Sequence, residues 1–141
     1  MRQQGFSLIE IMVVIAIISI LGVIAIPGYQ SYMQKAAMTD VLQTILPYKN
    51  SIEICHFNFG SLSQCNSGND NIPNNISGKH IKTIDVKSGI VKLSGDKTLS
   101  DLNITLTPVV TGNNSPFKWN VACEIKDNTN LKSLCEKTFS F

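Results

Sequence analysis

The residues from Phe6 to Ile26 form an apolar run of 21 positions that contains a single carboxylate, Glu10. No charge falls between Ile11 and Ile26. At about 1.5 Å per residue, a helix of that length spans roughly 30 Å, the thickness of a bilayer's hydrocarbon core. The run therefore reads as a membrane helix, and it leaves roughly 115 residues for one modest core. A lone acid in hydrocarbon costs roughly 2.5–3.5 kcal/mol at a helix centre on insertion scales, and less near an interface. A chain that keeps Glu10 is expected to use it for a specific partner.

The run is too long for a secretory signal, whose apolar stretch is about 7–15 residues and is followed by a small-residue cleavage site. Here Pro27-Gly28-Tyr29-Gln30 follows instead. The segment is thus expected to stay in the mature protein. Arg2 and the starting amine precede it, which favours a cytoplasmic N-terminus and an external remainder.

Net charge is +2, so charge alone implies no polyanionic partner. Arg2 is the only arginine; without it, bidentate guanidinium recognition of phosphates or bases is lost. The four cysteines are Cys55, Cys65, Cys123 and Cys135, with no C-x-x-C pair. Their even count and wide spacing, beside a membrane segment, suggest an exported domain in an oxidising compartment. Three pairings are open. Short loops favour Cys55–Cys65 and Cys123–Cys135. Zinc is the competing reading, but the spacing does not suit it, and the two histidines, His56 and His80, are isolated.

Gly22 and Pro27 weaken continuous helix, by roughly 1 and 3 kcal/mol relative to Ala, so a break or kink is expected there. Beyond Pro27 the pattern turns amphipathic. Met33, Ala37, Val41, Thr44 or Ile45, Tyr48 and Ile52 recur at three- and four-residue steps, which suits a helix face against a core. Pro47 is expected to bend this helix gently. It should end near Cys55–Phe59, before Gly60, about 50 residues from its start. Ser61 to Gly78 is rich in Asn, Ser and Gly and reads as a surface loop.

Strand patterns follow. Thr83–Lys87 and Ile90–Leu93 flank Ser88-Gly89, a hairpin turn. Leu102, Ile104 and Leu106 alternate with polar residues, and Pro108 should end that strand or place it at an edge. Thr111 to Pro116 is a turn-rich break. Trp119, Val121 and Cys123 make a fourth strand. The fold class expected is α+β: a four-stranded antiparallel sheet packed on the outer half of the long helix, with a short C-terminal segment, Asn130 to Phe141, pinned by Cys123–Cys135.

No catalytic constellation stands out. His56 and His80 lack a Cys–His or Ser–His–Asp pattern, and Asp96, Asp101, Asp127 and Glu136 form no EF-hand loop. The chain is read as a non-enzyme with no cofactor and no metal.

Gly5-Phe6-Ser7-Leu8-Ile9-Glu10 resembles the prepilin cleavage and methylation motif of type IV pilins. The resemblance continues through Pro27-Gly28-Tyr29, Lys35 to Thr44 and Ile45-Leu46-Pro47-Tyr48, and extends to the four-cysteine layout. It is similar to the enterobacterial type of major pilin. It implies a pilin fold with two disulfides and a division into a leader (1–5), a membrane and polymerisation helix (6–27) and a displayed globular domain (28–141). It also implies cleavage between Gly5 and Phe6 by prepilin peptidase, with methylation of the new Phe6 amine. In the filament, Glu10 would pair with the Phe6 amine of a neighbour, each charge offsetting the other's cost in an apolar core and fixing register. In assembled pili of this family the stretch between residues like Gly22 and Pro27 can lose helical order, and a simple kink near the membrane exit is the alternative for the free subunit.

The function implied is that of a major type IVa pilus subunit, held in the inner membrane and then displayed on the cell surface, supporting adhesion, twitching motility or DNA uptake. A minor pilin or a type II secretion pseudopilin is the nearest alternative, and a non-polymerising membrane-anchored binding domain lies further off. The implied partners are further copies of the chain, the peptidase, the inner-membrane assembly machinery and minor pilins. A calcium site in the C-terminal loop, as in some secretion pseudopilins, is a minor alternative to the reading of no metal. Lys79, Lys82, Lys87, Lys92 and Lys97 read first as a solvated sheet face. Repeated along a filament, they would also form a basic stripe toward DNA or an anionic host surface.

Overall fold

In a computed structural model the described residues are 4–112 and 117–141; Arg2 and positions 113–116 of the expected turn-rich break lie outside them. Contacts divide the chain into two units, Met1–Met33 and Gln34–Phe141. The elements in order are α1 (Leu8–Phe59), β1 (Ile81–Lys87), β2 (Ile90–Gly95), a 3-10 turn (Lys97–Leu99), β3 (Asn103–Val109), β4 (Lys118–Glu124) and α2 (Thr129–Thr138).

In the first unit the large apolar side chains from Leu8 to Ile26 are all exposed. A helix that is apolar on every side suits a lipid or helix-packed surround, and α1 is long and apolar enough to cross a membrane by length and composition.

α1 is continuous through Gly22, Pro27 and Pro47, so the helix is not interrupted there, and continuity is compatible with the kink expected at Gly22–Pro27 and the gentle bend expected at Pro47. Proline removes one backbone donor. A true break would create two new ends, each leaving up to four backbone groups without intrahelical partners. One missing bond is the smaller loss. Around Pro47 the burial of Ile45, Tyr48 and Ile52 also holds the helix in place.

In the second unit α1 buries Ala37, Met38, Val41, Ile45, Tyr48, Ile52 and Cys55. These steps of three and four make one stripe, with Ile45 rather than Thr44 on it. Met33, also expected on this face, is only half-buried. The helix stops at Phe59, where the Gly60 N–H donates to the His56 carbonyl at 2.8 Å. Gly60 takes φ 68°, the left-handed C-cap that ends many helices.

The sheet is an antiparallel meander in the order β1-β2-β3-β4. Its register aligns Ile84, Leu93, Ile104 and Cys123 across all four strands, and Val86, Val91, Leu106 and Val121 beside them. These rows share one apolar core with the α1 stripe. Ser88 and Gly89 both take positive φ, 51° and 78°, as a two-residue type I′ turn requires. At Gly95 the chain passes so close to Leu99 that a methyl group would overlap the Leu99 carbonyl. Pro108 lies within β3, but the β2–β3 pairing ends at Leu106, so β3 has only β4 beside it there. The proline thus occupies a locally one-sided position, which its missing donor tolerates.

Two expectations need correction. The segment from Ser61 to Gly78 is more than a surface loop. The Ser67 N–H donates to the Val86 carbonyl at 3.0 Å, and the Val86 N–H donates to Ser67 Oγ at 2.8 Å. The Gly89 N–H reaches the Cys65 carbonyl at 2.8 Å. The segment so covers the free edge of β1, and it adds Cys65 and Ile72 to the core. The C-terminal segment is a helix, α2, capped by Asn128, whose side chain accepts from the Leu131 N–H at 3.0 Å.

The disulfides are Cys55–Cys65 and Cys123–Cys135, with Cα–Cα separations of 6.0 and 6.3 Å. The first ties the end of α1 to the edge-covering segment. The second ties α2 to β4.

Candidate functional site

Residues 4–7 have no regular structure, and α1 begins at Leu8. Ser7 is its N-cap. The Ser7 N–H donates to Glu10 Oε2 at 3.0 Å, and the Glu10 N–H donates to Ser7 Oγ at 3.3 Å. This is a capping box, in which two donors that the helix start leaves unpaired are satisfied reciprocally. It aims the carboxylate back toward its own chain start, in the first turn, where the helix dipole favours negative charge. The cap occupies Oε2 and leaves Oε1 available to accept an ammonium. Gly5 and Phe6 stand just outside the helix, with Phe6 exposed, so the bond between them is not locked in a helical ladder.

The capping box was overlooked in the sequence, although Ser7-x-x-Glu10 ahead of an apolar run is its usual signal. A second overlooked residue is Glu53. Its Oε1 accepts from Lys49 Nζ and from Trp119 Nε1, both at 2.8 Å, linking α1 to β4. Lys49 Nζ also lies over the Trp119 and Phe141 rings, 5.9 and 5.2 Å from their centroids. Tyr48 is buried and donates from Oη to the Asn74 carbonyl at 2.6 Å. Burial raises its pKa above the ordinary phenolic value, because the charged form is poorly solvated there.

The other residues singled out in the sequence stay apart. His56 packs edge-on against Phe117, with ring centroids 5.6 Å apart. His80 is buried before β1, and its Nδ1 has no partner. Among the described residues, no three His, Cys, Asp or Glu side chains come together as a metal site. The lysine row does not form one stripe. Lys82, Lys87 and Lys92 lie exposed on β1 and β2, whereas Lys79 and Lys97 fall outside the strands. Asp85 stands directly across from Lys92 and interrupts the positive row.

An exposed apolar helix whose first turn carries a capped carboxylate, together with a disulfide-stapled antiparallel sheet, defines the class of protein. Residues 1–26 match the family model described as the prokaryotic N-terminal methylation motif. The chain is 40% identical over 140 residues to prepilin peptidase-dependent protein D of Escherichia coli K12, covering 99% of this chain and 96% of that one. It is 36% identical over 91 residues to the type IV major pilin protein PilE1 of Neisseria gonorrhoeae, covering 63% of this chain and 55% of that one. It is 40% identical over 72 residues to the type IV pilus subunit protein TapA of Aeromonas hydrophila, covering 51% of each. Its fold matches the solution NMR structure of the major type IV pilin PpdD from enterohemorrhagic E. coli. The TM-score is 0.68 at 34% identity, covering 78% of this chain and 83% of that one. The chain belongs to the type IV pilin family.

Proposed function

We propose that this chain is the major structural subunit of a type IV pilus. Prepilin peptidase removes residues 1–5 by cutting between Gly5 and Phe6, and the new Phe6 amine is methylated. Residues 6–27 hold the subunit in the inner membrane and then form the filament core, where helix packing replaces lipid contact. Residues 28–141 are displayed at the surface. On assembly, Glu10 pairs with the Phe6 amine of a neighbouring copy and sets the axial register. The stretch from Gly22 to Pro27, helical here, is the part expected to loosen in the filament. Inner-membrane assembly proteins and minor pilins act as partners. Adhesion, motility and DNA uptake are the uses the assembled filament would serve, and the interrupted lysine row gives DNA contact little support.

The observation that carries this reading is the pairing of an exposed apolar helix with a capped carboxylate whose second oxygen is free. The likeness along 99% of the chain to a prepilin peptidase-dependent protein supports it, and so does the likeness to a solved major pilin. A major subunit should be the dominant protein in filaments sheared from the cell surface. A trace component there, with another pilin dominant, would assign the chain to the minor pilins instead.

A further inference from the structure

The segment that follows α1 borders an open surface cavity of about 520 Å³ with a mixed polar and apolar lining. Its wall includes one half-exposed aromatic ring, Phe59, together with Ser63, Gln64, Asn69 and the carboxylate of Asp70. That volume lies within the range of small-molecule sites, about 300–1,000 Å³. The frame around it is fixed. Cys55–Cys65 clamps one side, and Asn66 is committed, its Oδ1 accepting from the Ser88 N–H at 2.8 Å and its Nδ2 donating to the Ser63 carbonyl at 3.4 Å. Asp70 and Asn71 take φ of 43° and 64°, so the backbone is held in left-handed conformations that position the carboxylate. Asp70 Oδ2 is buried and has no hydrogen-bond partner. An acceptor left so is costly, and native structures usually supply it with a donor.

The lining limits the chemistry that the cavity can hold. Among the described residues, no lysine or arginine lines the cavity, which disfavours phosphates and acidic sugars. Asp70 is its only carboxylate, and calcium sites gather six to eight oxygens, with several carboxylates among them. An aromatic ring beside a carboxylate and two primary amides matches the two-sided character of a sugar ring. The apolar C–H face stacks on Phe59, and adjacent hydroxyls donate to Asp70 and exchange hydrogen bonds with Gln64 and Asn69. The terminal torsion of Asp70 is soft, so the carboxylate can turn to offer both oxygens. We infer that this cavity is a binding site for a neutral hexopyranoside. The inference rests on the folded second unit alone and does not depend on whether the chain polymerises.

The test is a titration of the full-length ¹⁵N-labelled chain in a zwitterionic detergent that lacks sugar headgroups. The methyl glycosides of glucose, galactose and mannose are added separately, and calcium chloride is added in a further arm. At least one glycoside should give saturable amide shifts confined to the 59–70 segment. Asp70→Asn should weaken that binding about tenfold, as expected for loss of a charged acceptor. Phe59→Ala should weaken it, Phe59→Tyr should retain it, and Lys92→Ala should leave it unchanged. The inference is overturned if no glycoside saturates, if the shifts ignore both Asp70→Asn and Phe59→Ala, or if calcium alone saturates the site.

Discussion

Ser7 and Glu10 cap each other at the start of α1, through one hydrogen bond of 3.0 Å and one of 3.3 Å. The carboxylate that an apolar helix should exclude is therefore already engaged in the single subunit. It closes the helix start with one oxygen and leaves the other unengaged by the cap, and under the proposed function that second oxygen accepts the Phe6 amine of a neighbour. In the precursor that cation does not exist, because Phe6 is still an amide in the chain. Cutting after Gly5 would create it one residue away from the cap.

Charge and cap can be separated by substitution. Glu10→Val removes both, and Glu10→Gln keeps an oxygen that can accept from the Ser7 N–H but removes the charge. Both variants should insert in the membrane, and both should yield few or no sheared filaments. Circular dichroism in detergent should show that Glu10→Gln retains its helix. Normal filament yield from Glu10→Gln would mean that the cap, and not an ion pair, is what assembly needs.

Ser7→Ala should loosen only the helix start. Loss of an N-cap side chain costs typically about 1 kcal/mol. Amide exchange should speed up from Leu8 to Ile11 and stay unchanged beyond Pro47. An unchanged exchange rate at the start would show that the capping box contributes nothing to order there.

Glu53 joins two elements through one oxygen, so its loss should exceed the loss of its salt-bridge partner. Glu53→Ala leaves the Trp119 Nε1 donor without its acceptor, a cost of roughly 1–3 kcal/mol. Lys49→Ala breaks a partly exposed helix pair, worth roughly 0.2–1 kcal/mol, and removes the ammonium from over the Trp119 and Phe141 rings, worth roughly 0.5–1 kcal/mol at exposed sites, but leaves no buried donor unpaired. Thermal unfolding of both variants measures the order, and the reverse order would contradict it.

Tyr48 should make the fold sensitive to alkali. Its pKa is raised in the folded state, so folding holds the phenolic proton more tightly than the unfolded chain does. The contribution is complete below the ordinary value of about 10 and is lost as pH rises through the folded value. Tyr48→Phe should be less stable than the parent at neutral pH, because the bond to the Asn74 carbonyl is gone, and should lose less stability above about pH 10. Parallel alkaline losses in the two proteins would refute the assignment to Tyr48.

Each disulfide closes a short loop, with sequence separations of 10 and 12. Replacing either pair with serine should cost roughly 3 kcal/mol. Removing Cys123 and Cys135 should free α2 selectively, seen as faster amide exchange at Leu131 and Phe139. Uniform loosening of the whole sheet would show that this bridge does more than hold α2.

Much of this fold is written locally. The alternation at Leu102, Ile104 and Leu106, the Ser88-Gly89 turn and the stop at Gly60 are short-range signals, and each names its element. What stayed hidden depends on partners far away in the chain. Ser67 and Asn66 pair with Val86 and Ser88 at separations of 19 and 22 residues, which leaves no period to read. α2 carried a readable pattern in Leu131, Leu134, Cys135 and Thr138 behind Asn128, but ten residues of weak helix are held mainly by Cys135 and the burial of Leu131. At Pro27 and Pro47 the helix stays continuous because continuity outweighs one missing donor. The Ser7 cap was legible, but the stronger pattern around Glu10 overlies it.

The most direct test of the account is the N-terminal mass of the chain in filaments sheared from the cell surface. N-methylated Phe6 as the first residue, with Glu10 intact and the chain dominant in the preparation, is the predicted result. Filaments whose subunits still begin at Met1, or surface filaments that lack this chain altogether, would contradict it.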